Sequence, residues 1–261
     1  MDKFIIIGER IHCISPVIKE ALANRDEAPI LERAKAQLDS GATYLDLNIG
    51  PAERDGEELM QWGVKLLQEN FDNVPLALDT ANQKAIVAGI EVYNRSKGKP
   101  IINSADAGDR LDNIRLAAEN DAIVIALCSK QGVPRDNEER MQYCQEMLEY
   151  GMGLGLDESD MWFDPLTLVI KGMQEKQVEF LEFIRQLSDM GLMSVAGLSN
   201  ASNGMPKEVR PTVDSVLTAM AIECGLSAAI LNPNDKHLMD VVKTAEVILN
   251  RTLYADSYLE L

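Results

Sequence analysis

Pro75-Leu-Ala-Leu-Asp79 is a short apolar run closed by a carboxylate, and the same unit recurs along the chain. Residues 44–47 lead to Asn48, 101–102 to Asn103, 162–163 to Asp164 and 230–231 to Asn232. Residues 4–7 lead to Glu9, and 195–198 lead to Ser199 and Asn200. Residues 122–127 form a continuous apolar segment, as a parallel strand buried on both faces requires. Between these runs lie helical patterns at 30–38, 59–67, 85–93, 111–118, 138–150, 178–190, 213–224 and 238–249, with Gly41 stopping the first and Asn82 placed to cap the third. Eight strands alternating with eight helices predict an α/β chain folded as a single (β/α)8 TIM barrel. In that fold the carboxyl ends of all strands converge on one pocket, so the polar residues closing the runs become neighbours.

The length of 261 residues suits one such barrel, which typically needs roughly 250, and a hydrophobic content of 46% fills one large core. One domain is therefore expected over 1–261. There is no apolar run long enough to cross a membrane and no signal-peptide pattern, which predicts a cytoplasmic protein. The net charge of −17 argues against nucleic acid and anionic membrane as partners, because phosphate recognition depends on Lys and Arg. Cys13, Cys128, Cys144 and Cys224 lack metal-binding spacing and read as reduced thiols; with only His12 and His237 beside them, no bound metal is expected. No GxGxxG, P-loop or GxSxG motif occurs in a usable position, and Gly151, Gly153 and Gly155 read as a helix stop and loop.

What remains is a ring of carboxylates and amides with few cations. That set suits a neutral heteroaromatic ligand with donors and acceptors along one edge, as a pterin has. Taken singly, each residue is as well explained as a helix cap or turn former.

The segments Ile7-Gly-Glu-Arg-Ile11, Leu45-Asp-Leu-Asn-Ile-Gly-Pro51, Leu78-Asp-Thr80, Ile102-Asn-Ser104, Phe163-Asp-Pro-Leu166 and Gly197-Leu-Ser-Asn-Ala-Ser202 resemble, in order, the pterin-binding methyltransferases that use methyltetrahydrofolate and a corrinoid protein. The resemblance runs along essentially the whole chain and extends to the folate domain of cobalamin-dependent methionine synthase, here expected to stand alone without homocysteine or cobalamin modules. It implies that Asp79, Asn103 and Asp164 hold the pterin edge and that Asn200 lies nearest N5. It also places Glu9, Asp46 and Asn48 at the pocket floor, with Ser199, Ser202 and Asn203 ordering a loop or reaching the ligand. Arg210 becomes a candidate for the benzoyl-glutamate tail.

The implied reaction is methyl transfer between N5 of methyltetrahydrofolate and the cobalt of a corrinoid partner, by in-line attack of Co(I) on the N5-methyl or its reverse. N5 leaves well only when protonated. An Asn200 carbonyl accepting from protonated N5 favours the transition state over the ground state, with the proton coming through water ordered by Asp164 or Ser199. The family also implies a homodimer. His12 and Cys13, and the loop Ala201-Ser-Asn-Gly-Met-Pro-Lys-Glu208, depart from relatives serving the acetyl-CoA pathway and suggest a small methylcorrinoid protein of a demethylase system instead. His12 reads as a loop histidine with its hydrogen bonds met, or alternatively as a proton donor. Two other classes stay open: a dihydropteroate synthase-like enzyme, though Gly197-Leu-Ser-Asn-Ala201 lacks the expected Ser-Arg-Lys cations, and a non-catalytic pterin-binding protein.

Overall fold

The computed structural model describes residues 3–260. Eight parallel strands, β1 (Ile5–His12), β2 (Tyr44–Asn48), β3 (Leu76–Asp79), β4 (Ile101–Asp106), β5 (Ile123–Leu127), β6 (Met161–Asp164), β7 (Val195–Gly197) and β8 (Ala228–Leu231), follow one another in the order β6-β5-β4-β3-β2-β1-β8-β7. The remaining gap, between β6 and β7, is spanned by one bridge, Phe163 to Ser194, with Phe163 N donating to Met193 O over 2.9 Å. The result is a nearly closed (β/α)8 barrel.

Among the described residues, ten α-helices cover it: α1 (Pro16–Asn24), α2 (Glu27–Asp39), α3 (Gly56–Asn70), α4 (Gln83–Glu91), α5 (Asp112–Glu119), α6 (Asn137–Gly153), a single distorted turn α7 (Ile170–Met173), α8 (Lys176–Asp189), α9 (Arg210–Glu223) and α10 (Lys236–Ile248). All eight expected helices are present, each beginning earlier or ending later than its apolar residues suggest, because caps rather than hydrophobic positions set helix ends. Asn82 accepts from Lys84 N and Ala85 N, Asp136 from Glu139 N and Asp235 from Leu238 N. Two helices were not foreseen, α1 and α7. Ser15-Pro16, a capping residue type before a Pro at the first helical position, was the available signal for α1. Gly41, at φ +97, does end the α2 turn.

Period-two alternation builds two cores. Outward-facing Leu45, Leu47, Leu76, Leu78, Ile102, Val124 and Phe163 pack under the helices. Inward-facing Ile7, Ala77, Ile101, Ile123, Ile125, Trp162, Val195 and Ala228 fill the barrel, with Tyr44 meeting Trp162 edge-on at 6.0 Å between centroids. This apolar plug fills the lower barrel, and the next inward positions toward the strand ends carry the polar residues.

Candidate active site

Register decides which polar groups meet. Asn48 pairs with Asp79 across β2 and β3, and Asp79 with Asn103 across β3 and β4. Leu127 pairs with Asp164 across β5 and β6. One position below, Asp46 lies beside Ala77, inside the barrel and only 4% exposed. The Asn48 amide donates to Asp79 Oδ2, and Asn103 Nδ2 donates to Asp46 Oδ1 over 3.1 Å. The two carboxyls also share a hydrogen bond, so Asn48, Asp79, Asp46 and Asn103 form one chain.

Burial is the largest influence on both acids. It raises Asp46 well above the usual carboxylate range, helped by the charge of Asp79, and lifts Asp79 to about 6 against the donors that lower it. Two carboxyls this close retain a proton between them. Asp164 is also raised by burial to about 6, and its Oδ1 accepts from Leu166 N over 2.8 Å.

The β1 end is shaped by a bulge between Gly8 and Ile11. Gln37, fully buried on α2, accepts from Arg10 N over 2.8 Å, and its Oε1 occupies the space that a Cβ on Gly8 would need, 2.5 Å away. The bulge turns Glu9 toward Ser199, whose Oγ donates to Glu9 Oε2 over 2.8 Å. Burial raises the Glu9 pKa. Glu9, Ser199 and Arg210 line a side pocket of about 290 Å³ together with Arg10, Lys207 and Asp214.

The β7 end supplies Asn200, exposed, in a tight turn over residues 198–200. A Cβ on Gly197 would lie 3.2 Å from Asn200 Nδ2, so the glycine leaves room for this amide. Asn203 donates to Asn200 Oδ1 at 3.4 Å, and Arg210 donates to Ser202 Oγ at 3.1 Å and Asn203 Oδ1 at 3.2 Å. Ser202 is fully buried and therefore orders the loop from within rather than facing the pocket. Arg210 is engaged in the same loop.

Two expectations need correction. The rim is less poor in cations than the strand ends suggest, because β4 has a register shift between Asn103 and Ala105 and continues to Asp106. There Arg110 meets Asp106 at 2.8 Å and Ser104 Oγ at 3.0 Å, and its charge lowers the pKa of Asp79. In sequence, the Asp106-Ala-Gly-Asp-Arg110 stretch carries this cation. His12 is not a histidine with its bonds met: Nδ1 is buried without a partner. Burial, then Arg10 and Arg33, lowers its pKa, which leaves it neutral at pH 7 and a poor proton donor. Cys13 Sγ lies 3.3 Å from Asn48 Oδ1, at the same mouth. Among the described residues, no group of three or more His, Cys, Asp or Glu is placed to hold a metal ion, and no helix is long and apolar enough to cross a membrane.

The chain is 27% identical to the methylcorrinoid:tetrahydrofolate methyltransferase of Eubacterium limosum over 264 residues, covering 97% of this chain and 94% of that protein. It is 30% identical to methionine synthase of Mycobacterium tuberculosis (strain ATCC 25618 / H37Rv) over 87% of its own length but only 20% of that larger enzyme. Its fold is shared with 7,8-dihydropteroate synthase from Vibrio fischeri ES114, with a TM-score of 0.73 over 96% of this chain and 95% of that one, at 17% identity. The sequence pattern of the family described as pterin binding enzyme matches residues 15–232, and the chain belongs to that family.

Proposed function

We propose that this protein transfers a methyl group between N5 of tetrahydrofolate and the cobalt of a corrinoid carried by a partner protein, and that residues 1–261 act as one pterin-binding methyltransferase domain. The observation that carries this reading is the layer of Asn48, Asp79, Asn103 and Asp164 over an apolar plug. Ionised, the carboxyls there match the donors of a pterin edge, and the amides match its acceptors. Full-length similarity to an enzyme named methylcorrinoid:tetrahydrofolate methyltransferase supports the reaction class, with tetrahydrofolate as the acceptor.

In this mechanism Asp79, Asn103 and Asp164 fix the pterin, with Asp46 and Asn48 holding the first two in place. Asn200, free of the core and above the vacancy at Gly197, turns its carbonyl to protonated N5. The hydrogen bond strengthens as charge develops on nitrogen, so it lowers the barrier rather than merely adding affinity. Ser199, tied to Glu9, orders the water that carries the proton. The corrinoid approaches over the loops after β1 and β7. The working form is a cytoplasmic homodimer; four free thiols suit a reducing compartment, and exposed Val216 and Met220 on α9 offer an apolar contact surface.

The test is spectrophotometric: methyltetrahydrofolate and cob(I)alamin with the protein, and methylcob(III)alamin with tetrahydrofolate for the reverse. Conversion between the two cobalt spectra is expected in both directions. Tight binding of methyltetrahydrofolate without conversion favours the binding-protein reading. Condensation of a pterin pyrophosphate with p-aminobenzoate would instead establish the synthase chemistry.

A further inference from the structure

We propose that Arg140, outside the barrel on α6, is a positioning residue for the pterin site, fastening the turn after Asp164 and the stretch that runs from it to the Asn200 loop. The proposal rests on the pterin-edge role given to Asp164 above. Arg140 is fully buried, a costly place for a guanidinium unless its donors are used. Nε donates over 2.8 Å to the carbonyl of Pro165, the residue after Asp164. Nη1 donates to Asn137 and lies 3.6 Å from Glu179 Oε2, the group faces Phe183 at 5.9 Å, and Nη2 alone is buried without a hydrogen-bond partner.

The anchored loop needs holding. Leu166 sits at φ +68, a conformation unfavourable for a side chain of this kind, while its N–H closes a turn onto Asp164. Arg140 fastens this turn from α6, and Gln177 on α8 donates to Leu168 O over 2.9 Å. Further along, Ile170 N donates over 2.9 Å to Ala201 O, the residue next to Asn200. The two groups assigned to pterin and N5 thus hang from one clasped segment.

The charge also has a role. The titratable groups facing Asp164 are Arg140 from α6 and Cys128 beyond β5, with Cys144 of α6 behind it; burial keeps Cys128 a neutral thiol. Arg140 opposes the burial that pushes Asp164 upward. Without that cation the carboxyl would hold its proton to higher pH, and the protonated form presents a donor to the donor edge of the pterin.

The experiment measures methyltetrahydrofolate binding from about pH 5 to about pH 9 for the wild type, Arg140→Met, Glu179→Gln and Asp164→Asn, with Met147→Ala as a core control on the same helix. Asp164→Asn identifies the part of the acid limb that belongs to Asp164. Arg140→Met should move that part upward by about one pH unit, weakening binding about twofold at pH 7 and about tenfold at pH 5, and converging on the wild type in alkali. Glu179→Gln strips the guanidinium of its counter-charge and should move the limb downward, whereas Met147→Ala should leave the midpoint in place. A purely structural role for Arg140 predicts pH-independent weakening, and a wild-type midpoint in Arg140→Met overturns the proposal. If Arg140→Met does not fold, an unmoved midpoint in Glu179→Gln overturns it. Absence of binding by the wild type would instead bring down the pterin reading on which this depends.

Discussion

Asn103 donates its side-chain amide to Asp46 across the intervening strand β3, over 3.1 Å, although 57 residues separate them in the chain. The bond uses the donor end of the amide on the barrel interior and leaves its carbonyl end to the pocket. Asp46 in turn meets Asp79 on that intervening strand, so an almost fully buried residue governs two at the rim. A supporting group of this kind matters because a binding edge works only when its rotamers are fixed before the ligand arrives.

Asp79→Asn removes a carboxyl from the pterin edge and the partner that shares a proton with Asp46. Affinity for methyltetrahydrofolate should fall by about 10-fold or more, the loss of one charge-assisted bond. Isothermal titration at neutral pH measures it; unchanged affinity removes Asp79 from the edge.

Asn200→Ala should slow methyl transfer by about 10- to 1000-fold, as loss of one transition-state hydrogen bond does. Because the contact is made to protonated N5, pterin affinity should change far less than the rate. Rapid-mixing kinetics with cob(I)alamin separate the two, and a wild-type rate would sink the assignment.

Gly197→Ala tests the space rather than the group. The backbone at φ −82 accepts alanine, but the new methyl would sit 3.2 Å from Asn200 Nδ2 and push it aside by a few tenths of an ångström. A loss of about 3- to 10-fold in rate, with unchanged thermal stability, is expected, since small misplacements of a reacting group are costly. An equal loss in pterin affinity would mean that the methyl blocks the pocket instead.

Asp164 should cost the ligand-free fold stability as pH rises. Its folded pKa of about 6 lies above the ordinary 3.8, so its favourable contribution is complete below pH 3.8 and is lost as pH climbs through 6. The difference amounts to about 3 kcal/mol at alkaline pH if fully expressed. Asp164→Asn keeps the acceptor for Leu166 N and removes the charge. It should therefore melt at least about 2 °C higher than wild type at pH 8, with the gain shrinking toward pH 4. Calorimetry in the absence of folate decides, and a lower melting temperature at pH 8 contradicts the burial cost.

The barrel was legible in the chain because period-two alternation and helical spacing are local: Leu45-Asp-Leu-Asn48 already says which side chains face inward, and Asn82 and Gly41 already mark a helix start and stop. The residues closing the strands could be listed, and their resemblance to a pterin pocket named, without coordinates. Their division of labour could not. Asp46 and Asp79 are both strand carboxylates in sequence, yet register sends one inside and the other to the rim. Ser202 and Ser199 lie three residues apart, yet one is buried under Arg210 and the other reaches Glu9. Arg110 and Arg140 gave no local sign of their positions, since a strand irregularity brought one to the mouth and helix packing brought the other under Asp164. Local periodicity determined the fold and the inventory of the site; long-range pairing and burial decided which groups hold protons, which face the ligand and which hold the others still.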